Sequence, residues 1–317
     1  MKPLFAVIVL CTIIFGCNQP APQNVNKVNP TAYSIGGGNK VVFLNDYYLA
    51  YIKAIKAGSK NLDSLYKNIV QYPIMNNYFS SSEFSQLIEY SFHPVTDTSV
   101  IKGRILAIKA KEAKINGLIL SALVSCNKYL KDDSMTIYIQ PYEGGYPEDI
   151  VKKMNGIMAV TAGSKQIILT IDPEIDSWSD RIATTLAHEY NHAYWTKMDF
   201  KNPANKWDML NYLIFEGRAD SYCHFIYPHA DLAAWDTALS DKEKADLWVK
   251  LKPKLQSQDM SFQREVMFGG RDGYPIWGGY CLGYTIVQSA LRNNPNLKPE
   301  EWAILSPEKI LEMSDYK

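Results

Sequence analysis

Two histidines and a glutamate in the stretch His188-Glu189-Tyr190-Asn191-His192 have the types and spacing that point most directly to chemistry. Residues four apart on an α-helix are turned by about 40° relative to each other, so both imidazoles would project from one face and grip one cation. Glu189 would lie close to a water on that cation without being a ligand, as the general base of a metallohydrolase does. The pattern predicts a catalytic zinc site.

A third ligand must come from elsewhere, because zinc in hydrolases usually has three protein ligands and keeps one position for water. Glu216, on the next predicted helix and 24 residues after His192, is the preferred candidate. Asp220 follows one turn later on the same face, so its carboxylate would accept the free ring N–H of a ligating histidine and fix the tautomer. Asp220 itself or His224, one further turn on, are the alternative ligands.

The metzincin pattern is excluded, because it would need Gly at position 195 and His at position 198, where this chain has Trp195 and Met198. Farther along, the segment from Trp277 to Tyr284 is rich in Gly and Tyr. In zinc peptidases a Tyr often donates a hydrogen bond to the oxyanion, and Gly lets such a side chain approach closely. Tyr280 is the first candidate for this role and Tyr284 the second, and packing of both rings is an equally good interpretation.

This order of motifs resembles the gluzincin metallopeptidases. More narrowly, it is similar to a bacterial family of predicted zinc-dependent proteases that carry H-E-x-x-H, then an E-G-x-A-[DE] helix, here residues 216–220, and a late Tyr-rich Gly segment. The resemblance covers roughly residues 134 to 292 and departs at Arg218, where an apolar residue is usual.

The resemblance implies that His188, His192 and Glu216 bind Zn²⁺, that Glu189 is the base and that the substrate is a peptide or protein. Residues before 130 carry no motif that can be aligned with the family.

Apolar periodicity predicts the elements that must position these residues. The spacing is helical from Asn45 to about Leu130, and short β-like runs follow between Ser134 and Asp172. Further helices are predicted at 177–196, 206–228, roughly 241–252, 278–292 and near 307–314. The expected fold class is α+β: a mainly helical, zincin-like metallopeptidase with a small mixed β-sheet before the H-E-x-x-H helix.

The last two β-like runs, GIMAVTAG and KQIILTID, form a predicted hairpin whose second strand is expected at the sheet edge. A peptide substrate would then add to that edge near Lys165 to Thr170.

The start of the chain predicts export. An apolar stretch of about 12 residues from Leu4 to Phe15 is too short to span a bilayer and fits a signal-peptide core. It ends in Ile14-Phe15-Gly16-Cys17, which resembles the lipobox of bacterial lipoproteins, so Cys17 is expected to carry the lipid once residues 1–16 are removed. An ordinary signal peptide with an incidental Cys is the alternative.

The domain organisation follows from composition. Residues 17–40, rich in Asn, Gln, Pro and Gly, are a predicted flexible tether. A helical N-terminal region is expected over 41–133 and the catalytic domain over 134–317. A lipid on Cys17 would anchor the protein to a membrane of the bacterial cell envelope, with the choice of membrane and leaflet left open.

Composition excludes several functions. The 317 residues contain 33 Lys and Arg against 33 Asp and Glu, so the chain lacks the basic character of a nucleic-acid-binding protein. Five cysteines without a C-x-x-C pair exclude a zinc ribbon, and Cys223 and Cys281 are either disulfide-bonded or free. The sequence predicts a membrane-anchored zinc metallopeptidase; the alternative is a lipid-anchored binding or structural protein whose zinc only stabilises the fold.

Overall fold

The computed structural model describes residues 28–58, 61–95, 97–132, 134–269 and 273–316. The predicted signal peptide and Cys17 lie outside these ranges. Within them, no helix is both long enough and apolar enough to cross a membrane.

A five-stranded mixed sheet lies at the centre of the fold. Its strands, in chain order, are β1 (Thr31–Gly36), β2 (Asn39–Phe43), β3 (Thr136–Pro141), β4 (Ile157–Gly163) and β5 (Gln166–Ile171). Their order across the sheet is β1-β2-β3-β5-β4, in which β2, β3 and β5 are parallel and the two edge strands are antiparallel to their neighbours.

Helices precede, interrupt and follow the sheet. They are α1 (Asn45–Lys56), α2 (Leu62–Tyr66), α3 (Tyr72–Ile74), α4 (Ser85–Glu89), α5 (Thr98–Lys109), α6 (Glu112–Asn127), α7 (Glu148–Lys153), α8 (Trp178–Asp199), α9 (Met209–Ile226), α10 (Asp241–Leu251), α11 (Met260–Phe268), α12 (Gly278–Asn293), α13 (Pro299–Trp302) and α14 (Pro307–Met313). Short π-helical turns lie at Lys67–Gln71 and Met75–Phe79, and a 3₁₀ turn lies at Lys252–Lys254. The α+β fold class and the five helices predicted after the sheet are confirmed, whereas α7, α11 and α13 were not predicted.

The tether prediction is wrong for residues 31 to 40, which form β1 and the start of β2. Most side chains of β1 are exposed because it is an edge strand, so its polar composition resembled that of a linker. The run Gly36, Gly37 and Gly38 has positive φ at all three positions and makes the turn of this hairpin. Because β2 pairs with β3, residues on both sides of position 133 share one sheet.

The prediction that the KQIILTID strand lies at the sheet edge is also wrong. β5 is interior, between β3 and β4, and β4 is the edge strand. Tyr142 N donates to Ile171 O and Thr136 N donates to Lys165 O. The main-chain N–H and C=O groups of the odd-numbered residues of β5 therefore point toward β3, and those of the even-numbered residues point toward β4.

The register of β4 then decides which of its peptide groups are free. Met158 pairs with Thr170 and Val160 with Ile168, so these two residues of β4 bond to β5. The peptide groups of Ala159 and Thr161 therefore point to the outer edge, where no described residue hydrogen bonds to them, whereas farther along that edge Phe84 N donates to Ala162 O.

The two faces of the sheet are covered by different helices. One face packs against α6 and α8, and the other packs against α1, α5 and the segment from Tyr66 to Phe79. The C-terminal helices α9, α10, α11, α12 and α14 form a separate apolar cluster that adjoins α8 through α9. Helix α8 therefore lies between the sheet and the C-terminal helices.

Helices α9 and α12 touch backbone to backbone at two glycines. A Cβ on Gly217 would lie 2.3 Å from the carbonyl of Gly283, and one on Gly283 would lie 2.2 Å from the carbonyl oxygen of Leu213. Gly217 follows Glu216 directly, so this contact fixes the helix that carries the predicted third ligand.

Arg218, where the resemblance departs from its family, is a buried structural residue. Its side chain is 2% exposed and its Nη1 donates hydrogen bonds to the carbonyl oxygens of Ala303 and Leu305. Burial lowers the pKa of this guanidinium to about 10. Arg218 ties α9 to the connection between α13 and α14.

Gly283→Ala should lower the free energy of unfolding by about 3 kcal/mol, because the added methyl group meets main-chain atoms that cannot rotate away. Gly103→Ala is the matched control, since a Cβ there meets nothing within 4 Å and helical Ala is favoured over Gly by about 0.5–1 kcal/mol. Urea unfolding of both variants measures the two effects. Equal stability of Gly283→Ala and wild type would contradict the close approach of α9 and α12.

Candidate metal centre

Helix α8 places two histidines on its face toward α9. Its opposite face is buried against α6 and the sheet through residues three or four apart, among them Ile182, Leu186 and Ala193. This amphipathic spacing fixes the rotation of the helix, so His188 and His192 project together, as their four-residue separation predicts. Their Nε2 atoms are 3.0 Å apart.

Glu216 on α9 completes a triangle of ligand atoms. Its Oε2 lies 3.3 Å from His188 Nε2 and 3.4 Å from His192 Nε2. Four ligands at the usual zinc–nitrogen length of about 2.0–2.1 Å are separated by about 3.3 Å in a tetrahedron, which these three distances match. Among the described residues, this is the one group of three His, Cys, Asp or Glu side chains that could hold a metal ion.

The charges of this triangle are strongly coupled. Burial raises the pKa of Glu216, but the neighbouring His192 and His188 outweigh it and hold that pKa at about 2. Burial lowers the pKa of His188, yet Asp220 and Glu216 together raise it well above its usual value. A buried anion between two imidazoles is the donor set that a divalent cation prefers.

Asp220 lies on the far side of the His188 ring. Its Oδ1 is 2.7 Å from His188 Nδ1, which leaves Nε2 to face the triangle. The Trp235 indole N–H lies 3.1 Å from both carboxylate oxygens of Asp220, so it fixes the orientation of that side chain. Asp220 therefore occupies a supporting position and not a ligand position, and His224, near Tyr284, lies outside the triangle.

A stacked ring fixes His192. The ring of Phe215 lies 4.0 Å from that of His192 at an interplanar angle of 16°. His192 Nδ1 is buried and has no hydrogen-bond partner among the described residues, so stacking takes the place of the usual outer hydrogen bond. Sequence reasoning missed Phe215, although it directly precedes Glu216.

Glu189 is next to the triangle but is not one of its corners. The side chain is only 7% exposed, and the Thr161 hydroxyl lies 2.7 Å from Glu189 Oε2 and 2.9 Å from the Glu189 carbonyl oxygen. Thr161 lies on β4, so the free sheet edge and the predicted base are in direct contact. Nothing in the sequence between positions 161 and 189 indicated this pairing.

The charges of the site act on the Tyr280 hydroxyl. Burial raises the pKa of Tyr280, and the charges of Glu216, Asp220 and Glu189 raise it further. The pKa of Tyr284 is raised by burial first and then by the charges of Asp236 and Asp220, which lie on the outer side of His188.

Tyr212 is a further hydroxyl beside the triangle. Burial and the charge of Glu216 raise its pKa, and the adjacent Tyr280 hydroxyl opposes the shift. Its position four residues before Glu216, on the same helical face, was a sequence signal that the prediction did not use. Cys126, Cys223 and Cys281 are free thiols, so the possible Cys223–Cys281 disulfide is not formed.

Phe215→Leu should weaken zinc binding by about tenfold, because the His192 ring loses the flat surface that orients it. Phe225→Leu, farther along α9 and 45% exposed in the wild type, is the matched control and should leave the affinity unchanged. Competition with a chromogenic chelator measures both affinities. Equal affinities in the two variants would show that stacking does not position His192.

Comparison with known proteins gave one family match. A family model described as Predicted Zn-dependent protease (DUF2268) matches residues 115–312, which is more than half of the chain and includes the complete triangle. No curated protein and no solved structure matched.

Proposed function

Because the chain belongs to this family of predicted Zn-dependent proteases, we propose that it hydrolyses peptide bonds with zinc held by His188, His192 and Glu216. Peptides or proteins are the substrates that this membership implies. The observation that carries the proposal is the triangle of ligand atoms with a buried carboxylate, that of Glu189, beside it. A metal that only stabilised the fold would need a closed coordination shell and no such neighbour.

Zinc in this triangle would polarise a water molecule and the substrate carbonyl. Glu189 would take the proton of the attacking water on a carboxylate oxygen and return it to the leaving amine. Thr161 orients Glu189 for this transfer by hydrogen bonding. Tyr280, with its pKa raised, stays protonated and would donate a hydrogen bond to the developing oxyanion.

The substrate backbone would pair with β4. The peptide groups of Ala159, which is partly exposed, and of Thr161, which is buried, each have a donor and an acceptor not bonded to β5, and an extended peptide would add to this edge by β-augmentation. The contact between Thr161 and Glu189 would then bring the scissile bond next to the base. This assignment replaces the expectation that the substrate lies along Lys165 to Thr170.

We further propose that a lipid on Cys17 holds the enzyme at a membrane of the cell envelope. The support is the apolar stretch that ends in Ile14-Phe15-Gly16-Cys17. One acyl chain binds a membrane only weakly, whereas the acyl chains of a lipoprotein together make a stable anchor.

Glu189→Gln should keep the fold and one zinc per chain but lower peptide hydrolysis by about 10²-fold or more, because only the proton acceptor is lost. Glu216→Gln should lower zinc affinity as well, since a charged ligand is replaced by a neutral one. Cleavage of a mixed peptide library and metal analysis are run on wild type and both variants. Glu174→Gln, an exposed acid paired with Arg104, is the matched control.

Two results would reject this function. Wild type loaded with zinc that cleaves nothing in a broad library would favour a lipid-anchored binding or structural protein. Wild-type cleavage by Glu189→Gln would remove Glu189 as the base.

Cys17→Ser should move the protein from the membrane fraction to soluble export or to an unprocessed precursor, because the serine hydroxyl cannot take the lipid. Fractionation followed by mass determination of the N-terminus measures the change. Cys126→Ser, a buried thiol in the body of the protein, is the control for loss of a cysteine. Processed Cys17→Ser protein that remains in the membrane would disprove the anchor.

A further inference from the structure

An aromatic surface lies next to Asp220, the carboxylate that contacts the His188 ring. The ring of Trp235 is 6.2 Å from that of Trp277 and 6.1 Å from that of Tyr280, and Phe268 is 5.6 Å from Tyr280. Trp277 holds a left-handed backbone with φ of 57°, which is rare for a bulky residue and typical of functional positions. We call these four residues the aromatic wall.

Lys153 reaches the wall from the sheet side of the molecule. Its Nζ lies 5.6 Å from the ring centre of Trp277. Lys153 is the last residue of α7, which ends four residues before β4 begins, so this contact places the wall at the N-terminal end of the free strand edge.

Arg264 approaches from the C-terminal helices. It is four residues before Phe268 on α11, so the two side chains share one face of that helix, and Phe268 contacts Tyr280. The charge of Arg264 also opposes the rise that burial causes in the pKa of Tyr146, which lies two residues before α7, the helix that carries Lys153.

Neither cation has an acidic partner in the described part of the chain. Lys153 and Arg264 form no ion pair there, and Arg264 is half-buried. The nearby acids are already engaged: Glu216 by the two histidines, Asp220 by Trp235 and His188. A partly desolvated guanidinium without a partner is unfavourable, so an anion supplied from outside would bind to it.

We propose that the aromatic wall, with Arg264 and Lys153 at its rim, is a substrate subsite that recognises a carboxylate. This inference rests on the proposed peptidase function, because the ligand is the part of a peptide that extends past the N-terminal end of β4. The carboxylate belongs to an Asp or Glu side chain or to the peptide C-terminus. The planar guanidinium of Arg264 binds it with two hydrogen bonds, and the wall packs against the adjacent apolar atoms.

The test measures binding of three peptides to the zinc-loaded full chain that carries Glu189→Gln, by calorimetry. The peptides share one apolar sequence and differ in a single group: an internal Glu with an amidated C-terminus, a Gln with a free C-terminus, or a Gln with an amidated C-terminus. At least one carboxylate peptide should bind about tenfold more tightly than the neutral peptide. Which one does so identifies the source of the carboxylate.

Arg264→Ala, in the same background, should abolish this preference, Arg264→Lys should retain part of it, and Lys153→Ala should reduce it less, because Lys153 is exposed. Arg292→Ala, an exposed arginine near the end of α12, is the matched control and should retain the preference in full. Zinc content is measured for every variant.

The inference is overturned if the neutral peptide binds as tightly as both carboxylate peptides, or if the preference survives in Arg264→Ala, where the metal alone would hold the carboxylate. Its failure is separate from that of the proposed function: a wild-type enzyme that cleaves neutral peptides without the preference loses only the subsite. If the protein prefers carboxylate peptides but cleaves no peptide, the subsite is supported and the proposed peptidase activity is rejected.

Discussion

Burial of acidic groups around one histidine is the constraint on which the site depends. Four carboxylates with exposed fractions below a tenth surround His188: Glu189, Glu216, Asp220 and Asp236. Several negative charges in a dry interior are unstable unless each has a partner or gives up its charge. For Asp236 the neutral, protonated form is favoured, because burial and the charge of Asp220 raise its pKa. For the others the partners are imidazole, indole and hydroxyl groups, and a divalent cation bound among them would offset much of the remaining repulsion.

Only two helices carry the ligand triangle, so the fold has to fix one relative position above all others. Helix α8 is held by the sheet on one side, and α9 is held by α12 on the other. The contact at Gly217 and Gly283 leaves no room for adjustment between α9 and α12. The position of Glu216 is thus set by the packing of α9 against α12, consistent with the tight packing of protein interiors.

The parts of the structure that follow local rules could be predicted from the sequence. The shared face of His188 and His192 needs only a regular helix, and the sheet needs only alternating apolar residues. The edge strand could not be predicted, because it depends on β3 pairing with β5 and not with β4, and both strands of that hairpin have the same apolar pattern. Thr161, Phe215 and Trp235 were missed because each reaches the triangle through tertiary packing. The hairpin of β1 and β2 was missed because glycine-rich turns and linkers share a composition.

Arg218 has a consequence for how this protein and its relatives can diverge. Its hydrogen-bond acceptors, the carbonyl oxygens of Ala303 and Leu305, belong to the main chain and lie 85 or more positions away. An apolar side chain at 218 would lack both bonds, and loss of the 303–305 segment would leave a buried cation without acceptors. The two regions must therefore be inherited as a pair. Side-chain covariation between aligned sequences would not reveal this dependence, because every residue type, proline included, offers the same main-chain carbonyl oxygen.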